Sequence, residues 1–163
     1  MIIVVFGVSG AGKTTVGKLL AEKLGWRFYD GDEFHPAANI DKLKRGVALT
    51  DADRQPWLET LRELIEDSVH DGENAVVACS ALKRAYRDRL RVSGDVKFVF
   101  LHGSRAQIAA QLRRRGAHFM NPALLDSQFA DLEEPEPDEQ ALIVQIEGTP
   151  KDVVELIEAK LES

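Results

Sequence analysis

Near the start of the chain, Gly7-Val8-Ser9-Gly10-Ala11-Gly12-Lys13-Thr14 sets glycines, a lysine and a hydroxyl in the G-x-x-x-x-G-K-[ST] register. Glycines let a backbone curl until successive N–H groups face one phosphate, and a helix that follows turns its positive end toward the same anion. Lys13 then meets the outer phosphates of a nucleoside triphosphate. Thr14 offers a hydroxyl oxygen to the magnesium ion that bridges those phosphates. The predicted nucleotide-binding stretch is Gly7, Val8, Ser9, Gly10, Ala11, Gly12, Lys13, Thr14 and Thr15, with ATP and Mg²⁺ as the expected cofactors.

A second group of chemistry-bearing residues is Asp30-Gly31-Asp32. Phosphoryl transfer needs one carboxylate to support the metal and its water, and another to orient the accepting hydroxyl. Asp30 is expected to take the metal role beside Thr14, and Asp32 the acceptor role. A GTPase would carry Asn-Lys-x-Asp; the nearest fragment, Asn39-Ile40-Asp41-Lys42, does not match. A motor ATPase would end an apolar strand in a carboxylate, yet Ala75 to Cys79 runs into Ser80.

These groups need a scaffold that brings strand ends to one crevice. Short apolar runs at Ile2 to Phe6, Arg27 to Tyr29, Ala75 to Cys79, Lys97 to Leu101 and Leu142 to Ile146 read as strands. Between them, Lys13 to Leu24, Arg54 to Val69 and Ala106 to Arg114 have helical period, the second preceded by Asp53 as its expected cap. Ser104 with Gln107 has capping-box spacing, and Thr149 before Pro150 and Asp152 starts a terminal helix. The alternation predicts an α/β three-layer sandwich with a five-stranded parallel sheet. The acidic run Glu133 to Glu139 holds two prolines and reads as a solvated connection.

The chain has 163 residues, 44% hydrophobic and 29% charged, which suits one domain spanning 1–163. A formal charge of −6 argues against nucleic acid as a partner. No apolar run reaches membrane-spanning length, and the opening apolar run is too short for a secretory signal, so no membrane partner is expected. The single cysteine, Cys79, fits a reducing compartment and predicts a cytoplasmic protein.

Further motifs carry a resemblance. Beyond the phosphate loop and Asp30-Gly31-Asp32 come His35-Pro36, Asn39-Ile40, Leu49-Thr50-Asp51-Ala52-Asp53-Arg54-Gln55-Pro56-Trp57-Leu58, Cys79-Ser80-Ala81-Leu82-Lys83, Tyr86-Arg87, His118-Phe119 and Leu132-Glu133-Glu134-Pro135. In this order they resemble the gluconate kinase family of P-loop metabolite kinases, which is similar to shikimate kinase and more distantly to adenylate kinase. The resemblance implies transfer of the ATP γ-phosphoryl group to the terminal hydroxyl of D-gluconate, and a homodimer. An anionic acceptor needs a cation, for which arginine offers a planar two-pronged donor. Arg54 is the first candidate, followed by Arg87 and Lys83. Similar kinases keep a mobile lid where this chain has residues 113–130, and Arg115 fits the catalytic cation of that lid. Two other readings stay open: a kinase for another small hydroxy acid such as shikimate, and a non-catalytic ATP-binding regulatory module. Asp32 separates kinase from module, because a binding module has no use for a carboxylate beside the γ-phosphate.

Overall fold

The computed structural model describes residues 1–114 and 122–163. Its strands are β1 (Ile2–Phe6), β2 (Arg27–Asp30), β3 (Ala75–Cys79), β4 (Val96–His102) and β5 (Leu142–Gln145). They form one parallel sheet in the order β2-β3-β1-β4-β5. β1 and β3 read IIVVF and AVVAC and are buried at every position, as a parallel strand covered on both faces must be.

Alternation along β1 divides the core into two. Ile3 and Val5 join Val16 and Leu20 of α1 (Lys13–Leu24) and Ile157 of α7 (Pro150–Glu162) on one face. Ile2, Val4 and Phe6 join Trp57, Leu61 and Ile65 of α3 (Asp51–His70) and Tyr86 of α4 (Arg84–Leu90) on the other. The expected three layers are therefore present. The remaining helices are α2 (Ala37–Lys44), α5 (Arg105–Arg114) and α6 (Pro122–Asp131).

Local chemistry sets the helix ends. α1 begins at Gly12 and stops at Gly25, both in the left-handed region at φ 93° and 72°. The expected Ser104–Gln107 and Thr149–Asp152 capping boxes are formed. α3 differs from expectation, because its cap is Thr50 and Asp53 is the third helical residue of a capping box. The Asp53 carboxylate accepts from Lys42 Nζ at 2.8 Å and from the Thr50 N–H at 2.9 Å, which together hold it down at about 2. α3 thus starts a turn early, and Arg54 falls inside its first turns.

The acidic run also departs from expectation. Glu139 is buried and paired with Arg87, Asp138 binds Arg84, and the Glu133 carboxylate accepts the Arg84 N–H at 2.9 Å. Pro137–Glu139 form a short 3-10 turn closed by a capping box between Glu136 and Glu139. Two prolines stop an α-helix, as expected, and most of the acids are exposed, but Glu139 is buried and, with Glu133 and Asp138, ties the segment to α4.

Candidate active site

β1 leads straight into the phosphate loop, where Gly10 (φ 87°) and Gly12 (φ 93°) take backbone angles that L side chains rarely adopt. A side chain at Gly10 would also strike Leu112, 2.7 Å from its ideal Cβ. Lys13 is largely buried, and its ammonium donates to the Val8 carbonyl at 3.0 Å across the mouth of the loop. From α6, Gln128 grips the loop twice: its Oε1 accepts the Ser9 N–H at 2.6 Å and its Nε2 donates to Ser9 Oγ at 2.9 Å.

The two aspartates sit where β2 ends. Asp30 Oδ2 accepts from Thr14 Oγ1 at 3.3 Å, while Asp30 Oδ1 accepts the Asp32 N–H at 3.0 Å. One carboxylate therefore faces the phosphate-loop threonine and also fixes the turn that carries the other. Gly31 allows this turn to rest on β3: a Cβ there would lie 2.6 Å from the Ala78 carbonyl and 2.7 Å from Cys79 Cβ. Trp57 of α3 holds the turn from the other side, donating from Nε1 to the Gly31 carbonyl at 2.8 Å.

Beyond Asp32, His35 stacks on Trp57 with ring centroids 4.6 Å apart and planes 12° from parallel. Burial pushes its imidazole below the usual histidine value; Asp32 opposes that shift and Arg54 reinforces it. One helical turn before Trp57, Arg54 donates to Tyr86 Oη and to Asp131 Oδ2, both at 2.9 Å. A guanidinium has five N–H donors, and those two bonds leave others for a ligand.

Ser9, Lys13, Asp32, His35, Arg54, Trp57 and Gln128 line a single cavity of about 620 Å³. Lys44 of α2, Leu124 and Ser127 of α6, and Ser80 after β3 complete much of its wall. Lys13 and Asp32 thus share a space with Arg54, as their predicted roles require. A smaller hollow of about 210 Å³ lies on the other flank of the phosphate loop, between Gly12 and Val16 on one side and Arg114, Gly148 and Pro150 on the other.

Two of the predicted acceptor cations are elsewhere. Arg87 has a fully buried side chain and donates to both oxygens of Glu139 and to the carbonyls of Ala81, Leu82 and Glu133. It staples the acidic segment to α4 and has no donor left for a substrate. Lys83 pairs with Asp51 at 2.9 Å and lies outside the cavity wall. Asp51 also accepts from Tyr86 Oη, so Lys83 stands behind the Tyr86–Arg54 contact. Arg115, and residues 115–121 of the expected lid, lie outside the described residues.

Sequence reasoning assigned no role to Gln128, His35 or Lys44. His35 stood within a quoted motif, whereas Gln128 had no local signal at all, being 119 residues from Ser9.

Comparison with known proteins places these features in context. The shikimate kinase family model matches residues 9–155. The gluconokinase of Gluconobacter oxydans is 48% identical over 156 residues, covering 94% of this chain and 86% of that protein. The crystal structure of a gluconokinase from Sinorhizobium meliloti superposes with a TM-score of 0.86 at 43% identity, covering 94% of this chain and 86% of that one. An unliganded sugar kinase from a Janibacter species gives a TM-score of 0.91 at 40% identity, covering 99% and 94%.

Proposed function

The chain belongs to the gluconokinase family, and on that premise we propose that it transfers the γ-phosphoryl group of ATP to the terminal hydroxyl of D-gluconate, giving 6-phosphogluconate. The observation that carries this is the shared cavity: a phosphate-loop lysine, a carboxylate and an arginine face one space of about 620 Å³. A triphosphate laid along the loop meets the N–H groups of Gly10 to Thr14, and Lys13 leaves the Val8 carbonyl to follow the transferring group. The purine is assigned to the smaller hollow, whose wall includes the apolar side chains of Val16, Ile146, Pro150 and Val153. Asp32 orients the acceptor hydroxyl and takes its proton as the O–P bond forms. Arg54, already steadied by Tyr86 and Asp131, holds the gluconate carboxylate with its remaining donors.

Magnesium fits this site. Thr14 Oγ1 and Asp30 Oδ2, 3.3 Å apart, would supply the hard oxygen donors the ion prefers. When bound, the ion neutralises charge on the β- and γ-phosphates. Arg115 belongs to the same reading as a cation that stabilises charge on the transferring group from a lid near residues 113–130. A cytoplasmic setting is supported by the buried free thiol of Cys79. The homodimer implied by the resemblance is testable by sedimentation velocity, where a species at monomer mass would remove it.

Coupled ADP release across gluconate, shikimate, other sugar acids and nucleoside monophosphates tests the function. Release dependent on gluconate is expected. Release with shikimate alone, or with no acceptor at all, would overturn the reading.

A further inference from the structure

The proposed chemistry uses both ends of the acceptor, the terminal hydroxyl at Asp32 and the carboxylate at Arg54, and leaves the middle of its chain unrecognised. Neighbouring side chains bridge that gap without interruption. Asp32 and His35 are one 3-10 turn apart, with the His35 N–H donating to the Asp32 carbonyl at 3.4 Å. His35 lies flat on Trp57, and Trp57 follows Arg54 by three residues on α3, so both present the same face. Asp32, His35, Trp57 and Arg54 therefore form a continuous strip, and all four line the cavity.

The proton on the His35 ring can be located from its partners. Asn39 Nδ2 lies 2.9 Å from the Asp53 carbonyl, an atom that only accepts, so the amide must present its nitrogen there. The same nitrogen lies 3.2 Å from His35 Nδ1. An NH₂ group carries two hydrogens; one serves the Asp53 carbonyl, and the other points to Nδ1, which must offer its lone pair. The ring proton is then on Nε2. Asn39 is itself buried, so this arrangement is held within the packing of α2 against α3. Among the described residues no protein group accepts from Nε2, although the ring forms part of the cavity wall.

We propose that His35 is a specificity-determining residue: fixed by Asn39 and Trp57, it donates from Nε2 to a chain hydroxyl of the sugar acid between its two ends. This deepens the gluconate kinase reading and rests on it. It also separates polyol acids from acceptors that have no oxygen at that position. Such an acceptor leaves the Nε2–H buried without a partner, and loss of that bond is selective in a way that loss of apolar contact is not.

The test has two arms. Long-range ¹H–¹⁵N correlation on the ligand-free protein reads the tautomer, with the proton expected on Nε2; a proton on Nδ1 would overturn the inference. In steady-state kinetics, a glutamine amide reaches the Nε2 position and an asparagine amide only the Nδ1 position. His35→Asn is expected to raise the gluconate KM about tenfold with the ATP KM unchanged, and His35→Gln only about threefold, the range of one hydrogen bond. With gluconate analogues each lacking one chain hydroxyl, a single analogue should be bound equally by wild type and His35→Asn. Equal losses for both variants, or a uniform loss across all analogues, would mean a structural role only and overturn the assignment. Those results with normal wild-type turnover of gluconate remove His35 alone; a wild type that ignores gluconate removes the reading beneath it as well.

Discussion

Asp30 and Asp32 are two residues apart and do different work because one faces Thr14 and the other faces the cavity. Asp32→Asn removes the charge that orients and deprotonates the acceptor while leaving the phosphate loop intact. A fall in kcat of about 10²- to 10⁴-fold with little change in the ATP KM is expected from steady-state kinetics. An unchanged kcat would take the acceptor role from Asp32. Arg54→Ala should raise the gluconate KM selectively, and an equal rise in the ATP KM would show a general collapse of the wall. The phosphate loop and the two aspartates were legible in the sequence because their chemistry depends on local spacing. Arg54, Lys83 and Arg87 were not separable that way. Each is a cation on or beside a helix, and only packing shows that Arg87 faces Glu139 while Arg54 faces the cavity.

At the scale of elements, the strands and the long helices were readable from buried apolar runs and from period. α2, α4 and α6 were not. α2 and α4 have 8 and 7 residues, too few turns for a periodic signal, and α6, as long as α5, lies in the stretch near 113–130 expected to form a lid. The acidic segment misled for a related reason: composition records seven residues rich in acid and proline, but not which acid meets a buried arginine. Glu139→Ala strands the Arg87 guanidinium without its partner, which costs about 3–5 kcal/mol. In a chain of this size that lowers Tm by about 10 °C in a calorimetric scan. Asp138→Ala, one residue away at an exposed pair with Arg84, should barely move Tm. Equal shifts for the two variants would return the segment to the surface.

The whole molecule is a parallel sheet sealed on both faces, and its one thiol lies within that seal. Cys79 is fully buried, and burial pushes its thiol up to about 12, with Asp32 adding to the rise. The native protein should therefore resist a disulfide reagent at pH 8 and react stoichiometrically in denaturant. Because the cysteine ends β3 directly beneath Gly31, modification should also track loss of the active-site turn. Rapid labelling of the native state at full activity would contradict that placement.

The stacking of His35 on Trp57 also gives the protein a built-in optical signal. A protonated imidazole quenches an indole in contact with it, whereas a neutral one does so weakly. Of the two tryptophans, Trp57 is wholly buried against that ring, while Trp26 is only partly covered and belongs to the opposite face of the sheet. Burial holds the His35 titration below the usual 6.5, so emission at 295 nm excitation should stay flat from pH 8 down past that value and fall only at lower pH. His35→Gln should abolish the step, and a step that survives the substitution would assign it to another group. In wild-type protein, an acceptor that takes the Nε2 proton into a hydrogen bond holds the ring in place. Added gluconate should then shift the midpoint of the quench, turning a change of intensity into a binding isotherm that needs neither nucleotide nor turnover.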